Sequence, residues 1–337
     1  MTTMRAWQYN ATSGGLEKNL FMPASGAPKP SITADQILVE VHSASLNPAD
    51  HKVPELGLLT RAARPATATP GMDFCGKIAE VGSKVTGFTT GEMVFGSSLG
   101  RPLGHGSLAQ FMPVGKDMLT HLPEGIKVDD AAGMGVVGLT AYEAIKPNVK
   151  EGDKVFINGG SGGTGVVSIQ IAKALGCHVT TTCSGANVEL CQSLGADEVI
   201  DYKDTDILAA LKKKGGVFSL VVDNVGLPVD LYANSHHFLQ RDGKFVQIGV
   251  DFSYGGITSV FKSKLFPGFL GGGKRKYDLM LAHNDADALA QVARWMQEGK
   301  VKAVIDSVFE FEQVPQAFER LKTHRAKGKV IVHVTKQ

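Results

Sequence analysis

The stretch FINGGSGGTGVVSIQIAKALG, residues 156 to 176, sets five glycines between a short apolar run and a long amphipathic one. Lys154–Asn158 reads as a strand. Val166, Ile169, Ala172 and Leu175 recur at helical spacing. A Gly-rich turn between strand and helix lets a phosphate reach bare backbone N–H groups at a helix N-terminus. Gly162 and Gly165 fit the back half of a dinucleotide fingerprint, with Gly159 three residues ahead. Such a fingerprint gains weight from its strand–turn–helix setting. We read Gly159, Gly160, Ser161, Gly162, Gly163, Thr164 and Gly165 as a pyrophosphate cradle.

Working outward, the flanks repeat the alternation. HVTTTC (178–183) precedes NVELCQSLG (187–195), EVIDY (198–202) precedes TDILAALKKK (205–214), and FSLVVDNVG (218–226) and GKFVQIGV (243–250) add strands. Apolar strands alternating with helices predict a doubly wound parallel sheet covered on both faces. Asn224, Val225 and Gly226, and then Ile248 and Gly249, fall at strand ends, where such sheets bind ligands. NAD binders place Asp or Glu about 20 residues past the turn to hold the ribose 2′-OH. Here TTCSGAN (181–187) carries no acid before Glu189. Ser184, Asn187, Tyr202 and Lys203 could donate to a 2′-phosphate instead, which favours NADPH.

The first 120 residues have another texture: short alternating runs such as QILVEVHSASL (36–46) and GKIAEVGSKV (76–85), punctuated by Gly and Pro, predict a compact β-barrel-like domain. VDDAAGMGVVGLTAYEAI (128–145) reads as one helix. Residues 251–276 show no period and suit a mobile loop over a pocket or an oligomer contact. Helical and strand patterns over 285–334 close the chain. The expected division is 1–125 with 300–337 for the barrel, and 126–299 for the nucleotide domain.

Bulk composition narrows the function classes. At 337 residues and a net charge of +2, two domains fit and nucleic acid is not an expected partner. The four cysteines, Cys75, Cys177, Cys183 and Cys191, form no CxxC and read as buried packing in a reducing compartment. With no signal peptide or membrane-length apolar run, a cytoplasmic protein is expected. Lys262, Lys264, Lys274, Arg275 and Lys276 near Phe261, Phe266 and Phe269 are compatible with weak membrane-surface attachment, although a solvated basic loop is the commoner reason for such a mix.

SLNPADHK (45–52), PGMDFCGKIAEVG (70–82), GHGSLAQF (104–111), GLTAYEAI (138–145), GGSGGTG (159–165), SLGADEVIDY (193–202), VVDNVG (221–226) and EGKVKAVIDSVFEFEQVPQAFERL (298–321) together resemble the medium-chain dehydrogenase/reductases across essentially the whole chain. Within them the chain is similar to the zinc-free quinone oxidoreductases, in the group of the chloroplast envelope quinone oxidoreductase homologue and the reticulon-4-interacting protein. The resemblance implies a GroES-like barrel, a Rossmann domain, a cleft between them and a homodimer. Zinc enzymes of the family use a Cys in the early loop and a His in a GHE turn. Asn47 and Met72 stand there, a donor set unsuited to Zn²⁺, so no metal is expected.

Without a Lewis acid, a polarised C=C bond or a quinone is an easier hydride acceptor than an isolated ketone. By resemblance, Asn47 and Lys52 border the nicotinamide, with Lys52 as oxyanion donor or acid, and the Thr140 hydroxyl reaches the same end of the cofactor. The surface alternatives are a Lys52–Asp50 pair, an Asn-Pro turn role for Asn47, and a Thr140 bonded to its own helix turn. His105, between glycines, has no assigned role. The leading expectation is an NADPH-dependent reductase of enones or quinones. A dedicated biosynthetic enoyl reductase and a non-catalytic NADPH-binding protein are the alternatives.

Overall fold

The protein is described by a computed structural model covering residues 2–57, 60, 64–99, 104–250, 254–265 and 273–335. Its contacts divide it into two compact units, Met1–Leu139 with Ala282–Gln337, and Thr140–Leu281.

The first unit begins with β1 (Thr3–Met4) and β2 (Ala27–Pro28), which pair antiparallel. It continues with β3 (Gln36–Leu46), β4 (Asp73–Val81), β5 (Met93–Ser97), β6 (Phe111–Gly115) and β7 (Leu119–His121). The chain then builds the second unit from β8 (Lys154–Asn158), β9 (His178–Cys183), β10 (Glu198–Asp201), β11 (Phe218–Asp223), β12 (Leu239–Gln247) and β13 (Lys276–Leu279). It returns to the first with β14 (Ile305–Glu310) and β15 (Lys329–His333).

The first unit is a GroES-like β-barrel, its sheet running β14-β15-β3-β4-β5-β7 with β6 on β3. Alternate residues of β3, Ile37, Val39 and Val41, enter a core shared with Phe74, Ile78 and Val94 and with Val314 and Phe318 of the helix Val314–Lys322. Each such buried side chain stabilises the unit by about 1.5–3 kcal/mol. Residues 126–139 and 282–299, expected in the nucleotide domain, group with this barrel. The reason is packing: the helix Val128–Ala132 lies on β3 and β4, and the helix Ala286–Gln297 lies on β7.

The second unit is a six-stranded parallel Rossmann sheet of order β10-β9-β8-β11-β12-β13. Numbered within the unit, this is 3-2-1-4-5-6, the dinucleotide-binding order. Four of the five residues of β8 are buried, as a strand covered on both faces requires. Phe156, Phe218, Phe238 and Phe245 fill one core layer, with the Phe156 and Phe218 rings 5.8 Å apart.

Two local expectations are corrected. The helix expected over 128–145 is two helices, Val128–Ala132 and Gly135–Ile145, broken at Gly133–Met134. Within 251–276, Tyr254–Leu265 is helical and packs against β13 rather than forming a loop. Two glycines and the β-branched Ile257, Thr258 and Val260 weaken its intrinsic helix signal. Residues 251–253 and 266–272, with Phe266 and Phe269, and the Lys264 side chain, lie outside the described residues. Arg275 donates to the carbonyls of Leu239 and His236 at 3.0 and 3.1 Å, which ties this basic residue to the fold. All four cysteines are buried thiols. Among the described residues, no helix is long and apolar enough to cross a membrane.

Candidate functional site

The glycines of the turn after β8 have separate steric jobs. Gly159 has φ +82°, a left-handed conformation that side chains resist, and a Cβ there would lie 2.4 Å from Val225 Cγ2. At Gly160 a Cβ would meet Thr181 Oγ1 at 2.1 Å, and at Gly165 the Gly159 carbonyl oxygen at 2.0 Å. Those two glycines let the turn seat on β9 and on the following helix, Gly163–Ala174. Gly162 differs. It is the N-cap of that helix, and a Cβ there would find only the Gly159 oxygen, 3.7 Å away. Protein packing does not require glycine at 162, whereas close approach of a pyrophosphate to the backbone does.

Behind the turn lies a buried network absent from the sequence reading. Thr182 Oγ1 donates to Asn158 Oδ1 at 2.7 Å, and the Gly159 N–H donates to Thr182 Oγ1 at 2.8 Å. Asn158 Nδ2 donates to Asp223 Oδ1 and to the Leu227 carbonyl, at 2.8 and 2.7 Å. Asp223 Oδ1 also accepts the Val225 and Gly226 N–H groups at 3.0 and 2.9 Å. Burial pushes the Asp223 carboxyl up to about 6, against the pull of these donors. Asn158 and Asp223 are register partners on β8 and β11, the two strands at which the sheet order reverses. The network thus fixes both loops that flank the switch point.

The proposed cofactor residues at the ends of β9, β10 and β12 sit around the same edge. The Ile248 and Gly249 N–H groups donate to the Asp223 carbonyl at 2.9 and 3.0 Å, and a Cβ on Gly249 would lie 2.2 Å from the Asn224 carbonyl oxygen. Asn187 Nδ2 reaches Ser161 Oγ at 3.1 Å and Ser184 Oγ at 3.3 Å, bringing three polar groups together at the end of β9. Tyr202 is 52% exposed, and its N–H donates to the Cys183 carbonyl at 3.1 Å. Asp201 also stands here: its Oδ2 is 2.5 Å from the Cβ position of Gly185, and its Oδ1 accepts the Lys203 N–H. Thr140 is buried on the helix Gly135–Ile145.

Two features of these residues are compatible with a nicotinamide dinucleotide. One is the open cradle at Gly162. The other is Asn224, whose Oδ1 and Nδ2 are buried at the end of β11 with no hydrogen-bond partner among the described residues. Buried amides lacking partners are rare in folded chains, and a ligand's polar groups satisfy them.

In the first unit, Asn47 is 2% exposed and caps the helix Pro48–Lys52. Its N–H donates to Asp50 Oδ2 at 2.7 Å, and its Nδ2 donates to Asp73 Oδ2 at 2.8 Å. Lys329, 3% exposed on β15, donates to Asn47 Oδ1 at 2.5 Å and to Asp73 Oδ2 and the Leu46 carbonyl at 3.2 Å. Asp73 Oδ1 accepts the Val136 N–H at 2.7 Å, anchoring the start of the helix Gly135–Ile145. Asn47 therefore belongs to a buried polar hub that fixes two helices, and its amide oxygen already receives an ammonium. Lys329 and Asp73 were not singled out in the sequence. A lysine inside GKVIVHV was the available signal.

Asp50 is fully buried, its Oδ1 has no hydrogen-bond partner among the described residues, and burial pushes its carboxyl up to about 8. Lys52 lies half-buried on the last turn of the same helix. His105 is exposed. Among the described residues, no group of three or more His, Cys, Asp or Glu side chains could hold a metal ion.

Residues 33–124 match the family described as alcohol dehydrogenase GroES-like domain, and residues 194–332 the family described as zinc-binding dehydrogenase. The trans-enoyl reductase pgmF of Aspergillus terreus is 43% identical, over 99% of this chain and 97% of its own. The 2-methylene-furan-3-one reductase of Solanum lycopersicum is 31% identical, over 98% of this chain and 79% of its own. The structure of the quinone oxidoreductase from Coxiella burnetii superposes with a TM-score of 0.84 at 28% identity, covering 99% of this chain and all of the other. A GroES-like barrel, a 3-2-1-4-5-6 sheet with an open glycine cradle, and this degree of identity over whole chains lead to one conclusion: the chain belongs to the medium-chain dehydrogenase/reductases, in their quinone oxidoreductase-like branch, and is an oxidoreductase that works with a nicotinamide cofactor.

Proposed function

We propose that this oxidoreductase is an NADPH-dependent reductase delivering hydride to the C=C bond of α,β-unsaturated carbonyls or to quinones, without a metal. The observation that carries the coenzyme assignment is the end of β9, where the Ser161 hydroxyl, the Ser184 hydroxyl and the Asn187 amide converge and no acid stands on that strand end. Hydroxyl and amide donors suit a 2′-phosphate, and the Asp201 carboxylate beside them is engaged by the Lys203 N–H. The names of two relatives, trans-enoyl reductase and 2-methylene-furan-3-one reductase, both describe a C=C bond next to a carbonyl. The 43% identity to the first favours the narrower form of the proposal, a dedicated enoyl reductase.

When bound, the coenzyme supplies hydride. The chain's own part is binding, orientation and proton supply. The Gly159–Gly165 turn and the N–H groups opening the helix Gly163–Ala174 hold the pyrophosphate, and the Asn224 amide offers a donor and an acceptor to the coenzyme. Thr140 orients its nicotinamide end. Asn47, through Asp73 and Lys329, sets the helix that carries Lys52, and Lys52 supplies the proton. The Asn47 oxygen that receives the Lys329 ammonium, together with the Met72 thioether, makes a poor seat for Zn²⁺.

The test follows NADPH absorbance against enones, quinones and saturated ketones, with and without chelator. Turnover of the first two, untouched by chelator, is expected. Coenzyme binding with no turnover would establish an idle binder, and loss of activity with chelator would overturn the metal-free mechanism. Ala186→Arg adds a cation on the exposed turn between Ser184 and Asn187. It should tighten NADPH roughly tenfold while sparing NADH, since one charge-assisted hydrogen bond is worth about 1.5–3 kcal/mol. Equal effects on both coenzymes would refute a 2′-phosphate at this turn.

A further inference from the structure

Within the second unit, buried polar side chains continue along the carboxyl ends of the strands past the switch point. Gln247, the last residue of β12, is 8% exposed and is the register partner of Asp223 on β11. Its Nε2 donates to the Gly249 carbonyl at 3.0 Å, and its Oε1 accepts the Tyr277 hydroxyl of β13 at 2.9 Å. Only one orientation of the amide satisfies both neighbours. A carbonyl oxygen accepts and cannot donate, so Gly249 requires the amide N–H, which leaves Oε1 for the phenol. Tyr277 must then be the donor. Burial, and after it the Asp223 carboxylate, push its phenol upward, so the O–H is retained. The ring is held by Tyr232 and Phe245, at 4.5 and 6.1 Å between centroids, and the Tyr232 hydroxyl donates to the Arg275 carbonyl.

This chain of contacts ends on a backbone group that backs the Asn224 loop. A Cβ on Gly249 would lie 2.2 Å from the Asn224 carbonyl oxygen and 2.6 Å from the Val225 nitrogen, so the two segments touch directly. The Ile248 and Gly249 N–H groups bond to the Asp223 carbonyl. The turn after β12 is thus held by β11 through its N–H groups and by Gln247 through a carbonyl. A dinucleotide lies across the two halves of such a sheet, with its pyrophosphate at the first turn and its adenosine ribose at the end of the second strand. Here β8, β9 and β10 form the first half. The nicotinamide mononucleotide is left to the ends of β11 and β12, where Asn224 and Gly249 meet.

We propose that Gln247 and Tyr277 are positioning residues for the nicotinamide half of the coenzyme, acting through the Gly249 carbonyl on the turn after β12 and on the Asn224 loop. The role rests on the NADPH reading above. Neither side chain touches the coenzyme: Tyr277 orients Gln247, Gln247 holds Gly249, and Gly249 backs the segment that carries the Asn224 amide. Two asymmetries follow from a chain of this order. The adenosine half, bound at the end of β9, does not feel it. The Tyr277 hydroxyl matters only while Gln247 is there to be oriented.

The experiment compares Tyr277→Phe, Gln247→Leu and the double variant with the wild-type chain by titration calorimetry, using NADPH and, for the adenosine half alone, 2′,5′-ADP. NADPH should bind roughly five- to tenfold more weakly in each single variant, the worth of one intramolecular hydrogen bond. The double variant should bind it no more weakly than Gln247→Leu, whereas independent effects would multiply. Affinity for 2′,5′-ADP should stay within about twofold throughout, which also shows that each variant is folded. Parallel weakening of both ligands in Tyr277→Phe, which removes a single oxygen, would overturn the positioning role and leave a merely structural one. Unchanged NADPH affinity, or multiplied losses in the double variant, would overturn it too. A wild-type chain that binds neither ligand would instead remove the NADPH reading, and the positioning role with it.

Discussion

Asp50→Asn is the substitution whose effect on stability can be worked furthest from the structure. The Asp50 carboxyl is 1% exposed, Oδ2 accepts the Asn47 N–H at 2.7 Å, and Oδ1 has no partner among the described residues. Burial raises it to about 8, outweighing the Asn47 N–H and the Lys329 ammonium, and Asp73 pushes in the same direction as burial. In the unfolded chain the same group titrates near 3.9. Between these values the native state holds a proton that the unfolded state has lost. Raising the pH therefore destabilises the fold, and the contribution is fully restored only below the unfolded pKa.

At 1.36 kcal/mol per pKa unit, the native state loses roughly 3–4 kcal/mol between pH 5 and pH 8 through Asp50 alone. Asparagine keeps an acceptor for the Asn47 N–H and does not ionise. The unfolding free energy of Asp50→Asn minus that of the wild type should grow by about that amount over this range, other titrations being common to both proteins. Urea unfolding followed by tryptophan fluorescence is the assay. Trp7 and Trp295 are the chain's two tryptophans and both lie in the barrel unit with Asp50. A difference that stays flat with pH, or that shrinks, would refute the claim that Asp50 is protonated in the folded barrel at neutral pH.

Gly162→Ala should leave thermal stability within a degree or two and weaken calorimetric coenzyme binding at least tenfold, because its Cβ would enter space that protein does not fill. Gly165→Ala should instead lower stability by about 1–3 kcal/mol through its clash with the Gly159 carbonyl, and equal stability of the two variants would refute these separate roles. Lys329→Met leaves the Asp73 carboxylate buried without its cation and should cost about 3–5 kcal/mol in urea unfolding, with Asp73→Asn in the same chain recovering most of the loss.

The nucleotide unit was legible because its signals are local. The steric demand of Gly159, the 3.6-residue spacing of Val166, Ile169 and Ala172, and the apolar runs of β8, β9 and β11 all act within a few residues. The helix Tyr254–Leu265 escaped notice because its own residues are weak helix formers and its packing on β13 decides the matter. The brace beneath the glycine turn escaped for a different reason. Asn158 and Asp223 are 65 residues apart and meet only because β8 and β11 pair in parallel.

Sequence by itself determined most of the strands and helices and the strand–glycine turn–helix around Gly159–Gly165, since backbone sterics and hydrophobic period belong to neighbouring residues. It also determined that the end of β9 lacks the acid expected of an NAD binder. Only the tertiary structure decided that Lys329 meets Asn47 across 282 positions, that Asp50 is sealed from water, and that the Asn224 amide is buried with no hydrogen-bond partner among the described residues. Charge, protonation and unmet hydrogen bonds depend on what surrounds a group after water has left. That surrounding comes from segments far apart in the chain, which no local pattern specifies.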